Sequence, residues 1–208
     1  MEHEERQLSN SMRDRIMEAT MDVVYEKKIS GTSLRGIANE AGILPSNIQY
    51  YFRTKKELFV SLLTSVLSEI RAGRKEMLDQ CGDTLADKLN VFFRQKRETI
   101  SHKKKYEAIQ VDFWVQGLAD EDIHAYFRSS YEGWRRDIQA ILEERCPDLD
   151  PVRKQYIPYL MVSMMLGAAM QYYIEDSMDL DPYFSTCLEA VLRTIEDTPG
   201  NTGNAPVA

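Results

Sequence analysis

With 208 residues and 43% apolar content, the chain is long enough for one helical domain, or a small domain plus a larger one, and can close a real core. Its net charge of −7 argues against a nucleic-acid binder only until it is divided: residues 1–56 hold nine Lys/Arg against eight Asp/Glu, residues 57–208 seventeen against twenty-five. Three scattered cysteines (Cys81, Cys146, Cys187) give no disulfide framework and fit a reducing cytoplasm as packing residues, the polar, acidic start is unlike a signal peptide, and the longest apolar run, Tyr159–Met170, is about half a bilayer span.

Residues 1–10 and 197–208 are polar and read as disordered ends. Between them, Leu, Met, Ala, Glu, Lys and Arg outnumber β-branched alternations, which predicts an all-α chain. From Ser11, the apolar positions Ile16, Ala19, Val23 and Val24 predict a first helix that ends near Lys28, where Lys27 and Lys28 oppose the helix dipole. "SGTS" breaks it. Ser33 can cap a second helix with Leu34, Ile37, Ala38 and Ala41 on its apolar face, and Gly42 ends that helix.

Pro45 suits the first turn of a short third helix in which Ile48, Tyr51 or Phe52 face inward. Thr54 and Glu57 have capping-box spacing directly before Leu58, Phe59, Leu62, Leu63, Val66, Leu67 and Ile70, so a strongly amphipathic fourth helix is predicted to run toward Leu78. Further helices are expected near 83–101, 104–118, 120–145, 151–176 and 182–196. Asp150-Pro151 and Asp181-Pro182 read as starts, Cys146-Pro147 as a stop and Pro158 as a point of kinking.

Two helices joined by a short Gly-containing turn are the ingredients of a helix-turn-helix. Ala38 lies where the helices touch, Gly42 falls in the turn, and Ile48 anchors the second helix. An ordinary helical corner shares this spacing. The outward side of the second helix separates the two readings: apart from Leu44 it presents Pro45, Ser46, Asn47, Gln49 and Tyr50, short polar groups able to reach base edges, with one apolar ring. Ser33, Tyr51 and Lys55 sit around them where helix ends can meet phosphates, and Thr32–Lys56 carries Arg35, Arg53, Lys55 and Lys56 against Glu40 alone. So short a helix reads few bases, and two copies about a two-fold axis would be needed for tight binding.

The stretch "GTSLRGIANEAGILPSNIQYYFRTKKELF" resembles the N-terminal domain of the TetR family of one-component transcriptional regulators, over Ser11 to about Ser68. The resemblance implies an all-α fold: an N-terminal three-helix helix-turn-helix DNA-binding domain at 11–56 and a C-terminal helical ligand-binding and dimerisation domain at 57–196. By position it implies that Arg35 touches a base or phosphate and Ser33 a phosphate. Pro45, Ser46 and Asn47 would face the groove, Tyr50 and Tyr51 contact backbone, and Lys55 meet a phosphate. Gln49 stands where the family most often has Tyr. Since Gln pairs bidentately with adenine, this departure bears on the operator's sequence and leaves the DNA-binding role intact.

Farther on, "AIQVDFWVQGLADEDIHAYFRSSYEGWRRDIQAIL" looks like the corresponding helices of the subgroup that includes the choline-responsive betaine regulator BetI. Read from residues alone, the aromatics and methionines of this half are either ordinary core or the walls of a pocket between helices. Tyr131 and Met165 are candidates for such a wall, and for a cationic ligand Glu107, Asp112 and Trp114 are the candidate binding residues, although Asp112 could equally pair with Arg135 or Arg136. "YLMVSMMLGAAMQYYI" is apolar nearly all round, so its helix is either central or buried against a second subunit. Resemblance favours a homodimer through the helices near 151–176 and 182–196.

His3, His102 and His124 lack partners at metal-ligand spacing, no CxxC or Gly-rich phosphate loop occurs, and "DEDIH" reads as a capped helix start, so neither enzyme, metal nor cofactor is expected. A protein-interaction module would show neither salt-dependent DNA affinity nor sequence preference. The expectation is a cytoplasmic repressor, with double-stranded operator DNA, a small-molecule effector and a second copy of the chain as partners, and no membrane.

Overall fold

The computed structural model describes residues 2–197, all of whose regular elements are helices. In chain order they are α1 Glu2–Gly31, α2 Leu34–Ala41, α3 Pro45–Tyr51, α4 Lys55–Gln80, α5 Leu85–His102, α6 Lys104–Gly117, α7 Glu121–Arg145, α8 Pro151–Ile174 and α9 Leu180–Glu196. They form two compact units. One takes the chain up to Arg71 together with Lys103–Phe127, and the other Ala72–His102 together with the chain from Arg128.

In the first unit α1 packs on α2 and α6, and α2 on α3. Ile16, Val23, Val24, Ile37, Ala38, Ile48, Phe52, Leu58 and Leu62 are buried, the apolar positions that the helical periodicity singles out. Phe59 of α4 meets Phe113 of α6 edge to face, with centroids 6.2 Å apart. Thr54 caps α4 by accepting the Glu57 N–H at 3.0 Å. The carboxylate of Glu57 reaches back to the Arg53 N–H at 2.9 Å, one residue before the expected partner.

The first helix departs from expectation at both ends. Residues 2–10, expected to be disordered, are helical, consistent with a run rich in Glu, Arg and Gln without Gly or Pro. At the other end the helix breaks at Lys28, whose φ of 61° and ψ of 167° are far from helical, and a last turn continues to Gly31. Such a conformation in a residue other than glycine costs about 1–3 kcal/mol and persists only where surrounding contacts impose it.

The second unit packs α5 on α8 and α9, and α8 on α9. Phe93 stacks on Phe184 at 5.6 Å, and Phe92, Trp134, Ile138, Met161 and Met165 are buried. Arg74, at the far end of α4, is only 2% exposed. Its guanidinium lies over the rings of Phe92 and Trp134 and reaches Asp137 at 3.3 Å. Asp150 caps α8 through the Val152 and Arg153 N–H groups, and Pro158 lies inside that helix without ending it. The start of α9 needs correction: Asp179, which accepts the Asp181 N–H at 3.0 Å, is the cap, so the helix begins two residues before Pro182. The tail expected to be disordered lies outside the described residues beyond Asp197.

By length and composition α8 is apolar enough to cross a bilayer. One face, with Ile157, Met161, Val162, Met165 and Ala168, is buried in the unit, while Tyr156, Tyr159, Leu160, Met170, Tyr173 and Ile174 are exposed.

Candidate nucleic-acid interface

Four residues set the start of α2 and its corner with α3. Ser33, in extended conformation, accepts the Gly36 N–H at 3.1 Å and starts α2. Gly42 ends it at φ 62°, with its own N–H on the Asn39 carbonyl and that of Ile43 on the Ala38 carbonyl, the paired closure that a left-handed residue permits. Leu44 is extended, as the residue before a proline prefers, and Pro45 opens α3.

Because α3 has only seven residues, one inward anchor, Ile48, determines which way the helix faces. Opposite it Pro45, Ser46, Gln49 and Tyr50 are exposed, Tyr50 by 82%, with Leu44 beside them at 69%. Asn47 and Tyr51 are half-buried, and the rings of Tyr50 and Tyr51 meet edge to face at 5.1 Å. On α2, Arg35 is exposed like the Ser33 cap before it. The ammonium of Lys55, at the start of α4, lies 5.1 Å from the Phe59 ring centre. The predicted interface residues thus fall on α2, α3 and the first turn of α4, with side chains accessible or partly so.

Lys56 behaves differently from the cation counted in the sequence. Its ammonium contacts Asp120 at 2.9 Å and Asp122 at 2.5 Å, and hydrogen bonds to these carboxylates raise its pKa. Asp120 is held below the usual carboxylate range by the bond from Lys56 and also caps α7 through the Asp122 and Ile123 N–H groups. A separation of more than sixty residues hid this pairing; only the acidic run "DEDIH" hinted at a partner.

The candidate ligand residues divide between the units. Glu107, Asp112 and Trp114 lie on α6 in the first; Tyr131 on α7 and Met165 on α8 lie in the second. Glu107 and Met165 are buried, Trp114 is half exposed, and Tyr131 packs edge-on against Trp134 at 5.9 Å. Asp112 has a partner far away in sequence: its Oδ2 accepts the Ile29 N–H at 2.6 Å. A cavity of about 370 Å³ in the second unit, lined by Arg97, Ser101, His102, Tyr172 and Asp176 among others, includes none of the five. Among the described residues no cluster of three or more His, Cys, Asp or Glu could hold a metal.

Residues 16–62 match the family model for bacterial regulatory proteins of the tetR family. The chain is 26% identical over 147 residues to the HTH-type transcriptional repressor KstR2 of Mycobacterium tuberculosis, covering 68% of this chain and 72% of the repressor. It is 24% identical over 186 residues to an uncharacterised HTH-type transcriptional regulator of Xanthobacter autotrophicus, covering 80% and 84%. Among solved structures, a transcriptional regulator from Rhodococcus superposes with a TM-score of 0.75 at 20% identity, over 88% of this chain and 95% of that one. The regulator FadR of Bacillus subtilis, solved with stearoyl-CoA, superposes at 0.72 and 17% identity, over 87% and 98%. These relatives are regulators rather than enzymes, and the fold is that of a tetR-type helix-turn-helix domain followed by a helical domain.

Proposed function

We propose that this chain is a TetR-family one-component transcriptional repressor of the cytoplasm, which binds a palindromic operator as a homodimer and leaves it when a small molecule binds its helical domain. The observation that carries the reading is α3: a helix held by one buried anchor, Ile48, that turns Pro45, Ser46, Gln49 and Tyr50 to solvent next to Arg35 and Lys55. Side chains of α3 read base edges, while Ser33, Tyr50, Tyr51 and Lys55 position the domain on phosphates. The domains are residues 11–56 for DNA and 57–196 for ligand and dimer.

The outer face of α8 supports the dimer. Tyr156, Leu160, Met170 and Ile174 are exposed at helical spacing, and Ile174 is 84% so. Ser163 and Gly167 lie between them on the same stripe, and a Cβ added at Gly167 would meet nothing within 4 Å. Packing within the chain therefore gives no reason for a glycine there. Close approach of a second helix does.

Glu107, Asp112, Trp114, Tyr131 and Met165 are the effector residues of this reading, and the BetI-like stretch makes a quaternary ammonium such as choline the first effector to try. The functional test is selection of genomic DNA fragments on the purified protein at two salt concentrations. Recovery of an inverted repeat at both salts supports the reading, and the fragments' release by choline supports the subgroup. Recovery of unrelated fragments that are lost at higher salt refutes sequence-specific regulation.

A further inference from the structure

The break in α1 is held from outside the helix. In an uninterrupted α-helix the Ile29 N–H would donate to the Tyr25 carbonyl. Here Lys28, at φ 61°, turns the chain away, and each group of that pair bonds elsewhere. The Lys28 ammonium donates to the Tyr25 carbonyl at 3.1 Å, and the Asp112 carboxylate accepts the Ile29 N–H at 2.6 Å. Thr32 Oγ1 then donates to the Lys28 carbonyl at 2.7 Å. The bonds made by Lys28 and Thr32 are local. The bond to Asp112 bridges 83 residues and comes from α6.

This bond stands directly before the DNA-reading elements. Ile29 and Thr32 are buried, and the next residue, Ser33, is the cap of α2. The path of the chain from α1 into α2 therefore depends on a carboxylate carried by the helix that also holds Glu107 and Trp114.

We propose that Asp112 is a positioning residue for DNA recognition: it latches Lys28 in its left-handed conformation, and withdrawal of α6 lets α1 close through Lys28, displacing α2 and α3. The inference rests on the DNA-reading role of α3 proposed above. A carboxylate accepting a backbone N–H at this length loses the bond with a movement of about 1 Å, since hydrogen bonds weaken steeply beyond ordinary length. An effector that shifts α6 by that much changes the population of the two states.

The experiment uses the full chain with Asp112→Ala, Asp112→Asn, Lys28→Gly and the D112A/K28G pair. Amide hydrogen exchange across residues 28–33 is measured without DNA, and affinity is measured for a genomic fragment recovered by the wild-type protein. Loss of the latch in D112A should speed exchange at Ile29 and weaken fragment binding about tenfold, within the usual range of coupling between sites. D112N, with an uncharged acceptor, should fall between. K28G should bind like the wild type, because glycine adopts positive φ freely, and should return most of the lost affinity when added to D112A. A D112A protein that exchanges and binds like the wild type overturns the proposal. So does a D112A/K28G protein no better than D112A, which would mean that Asp112 serves stability alone. If D112A does not fold, D112N with and without K28G decides by the same criteria. Should the wild type recover no specific fragment, the DNA reading fails, while the exchange rates at Ile29 still judge the latch.

Discussion

On the proposed reading, neighbouring side chains of α3 and the start of α4 divide the work of DNA recognition. Asn47 and Gln49 have the donor and acceptor groups that pair with base edges, whereas Tyr51 and Lys55 suit phosphates. Tyr51→Ala and Lys55→Ala should weaken binding to all fragments alike, with only Lys55→Ala flattening the salt dependence, while Gln49→Ala should change which sequence is selected, at about 1–3 kcal/mol for the lost base contact. Equal loss on every operator variant for all of them would reject that division. Gly42→Ala should lower stability by about 1 kcal/mol, read as a fall in Tm, because alanine at φ 62° is strained; the nearby Arg15 Nη2, 3.0 Å from the added methyl, can swing away.

Tyr106 also allows a test at this scale. Burial first, then the bond it donates to Glu69 at 2.5 Å, push its hydroxyl up to about 12 from an ordinary 10. Its neutral form is thus favoured by folding, so its stabilising contribution is complete below pH 10 and is lost as the pH rises toward 12. The Tm difference between the wild type and Tyr106→Phe should be constant from pH 7 to 9 and shrink from about pH 10 upward. A difference that grows above pH 10 would contradict it.

At the scale of the element, α4 is the instructive helix. Its first half buries Leu58, Leu62 and Leu63 in the first unit, and Arg74 then enters the core of the second. There the guanidinium replaces water by two aromatic faces and the Asp137 carboxylate, so the residue contributes packing as well as charge. Arg74→Ala should cost about 2 kcal/mol in urea unfolding, mostly from the lost packing of its guanidinium and stem between Phe92 and Trp134, since Asp137 is a third exposed. Arg74→Met, which keeps an apolar stem between Phe92 and Trp134, should cost less. Short α3 is the opposite case: with Ile48 as its only buried residue, it is held by its corner and its neighbours.

For the whole molecule, the proposed dimer through the exposed stripe of α8 can be tested at Gly167. A Cβ at Gly167 has open space and Gly167→Leu improves helix propensity, so the protomer should keep its helical circular dichroism. In sedimentation the dimer should nevertheless give way to monomer, and operator affinity should fall with it, because one short recognition helix binds weakly alone. A Gly167→Leu protein that remains dimeric would exclude close helix approach at this position.

Local chemistry determined much of this protein. Helical periodicity, the caps Ser33, Thr54 and Asp150, the glycine stop at Gly42 and the proline start at Pro45 are signals spanning five residues or fewer, and each was legible because it acts on its own turn of chain. The outward row on α3 followed once Ile48 was recognised as its anchor. Two local readings differ from the structure: an acceptor at Asp179 starts α9 ahead of the proline signal, and residues 2–10 are helical. What only the tertiary structure decided were the partners of long-range charge. Lys56 pairs with Asp120 and Asp122, and Asp112 accepts the Ile29 N–H, 83 residues away, beside a lysine bent out of its helix. A charged side chain's choice of partner depends on which helices meet, and local sequence does not encode that encounter.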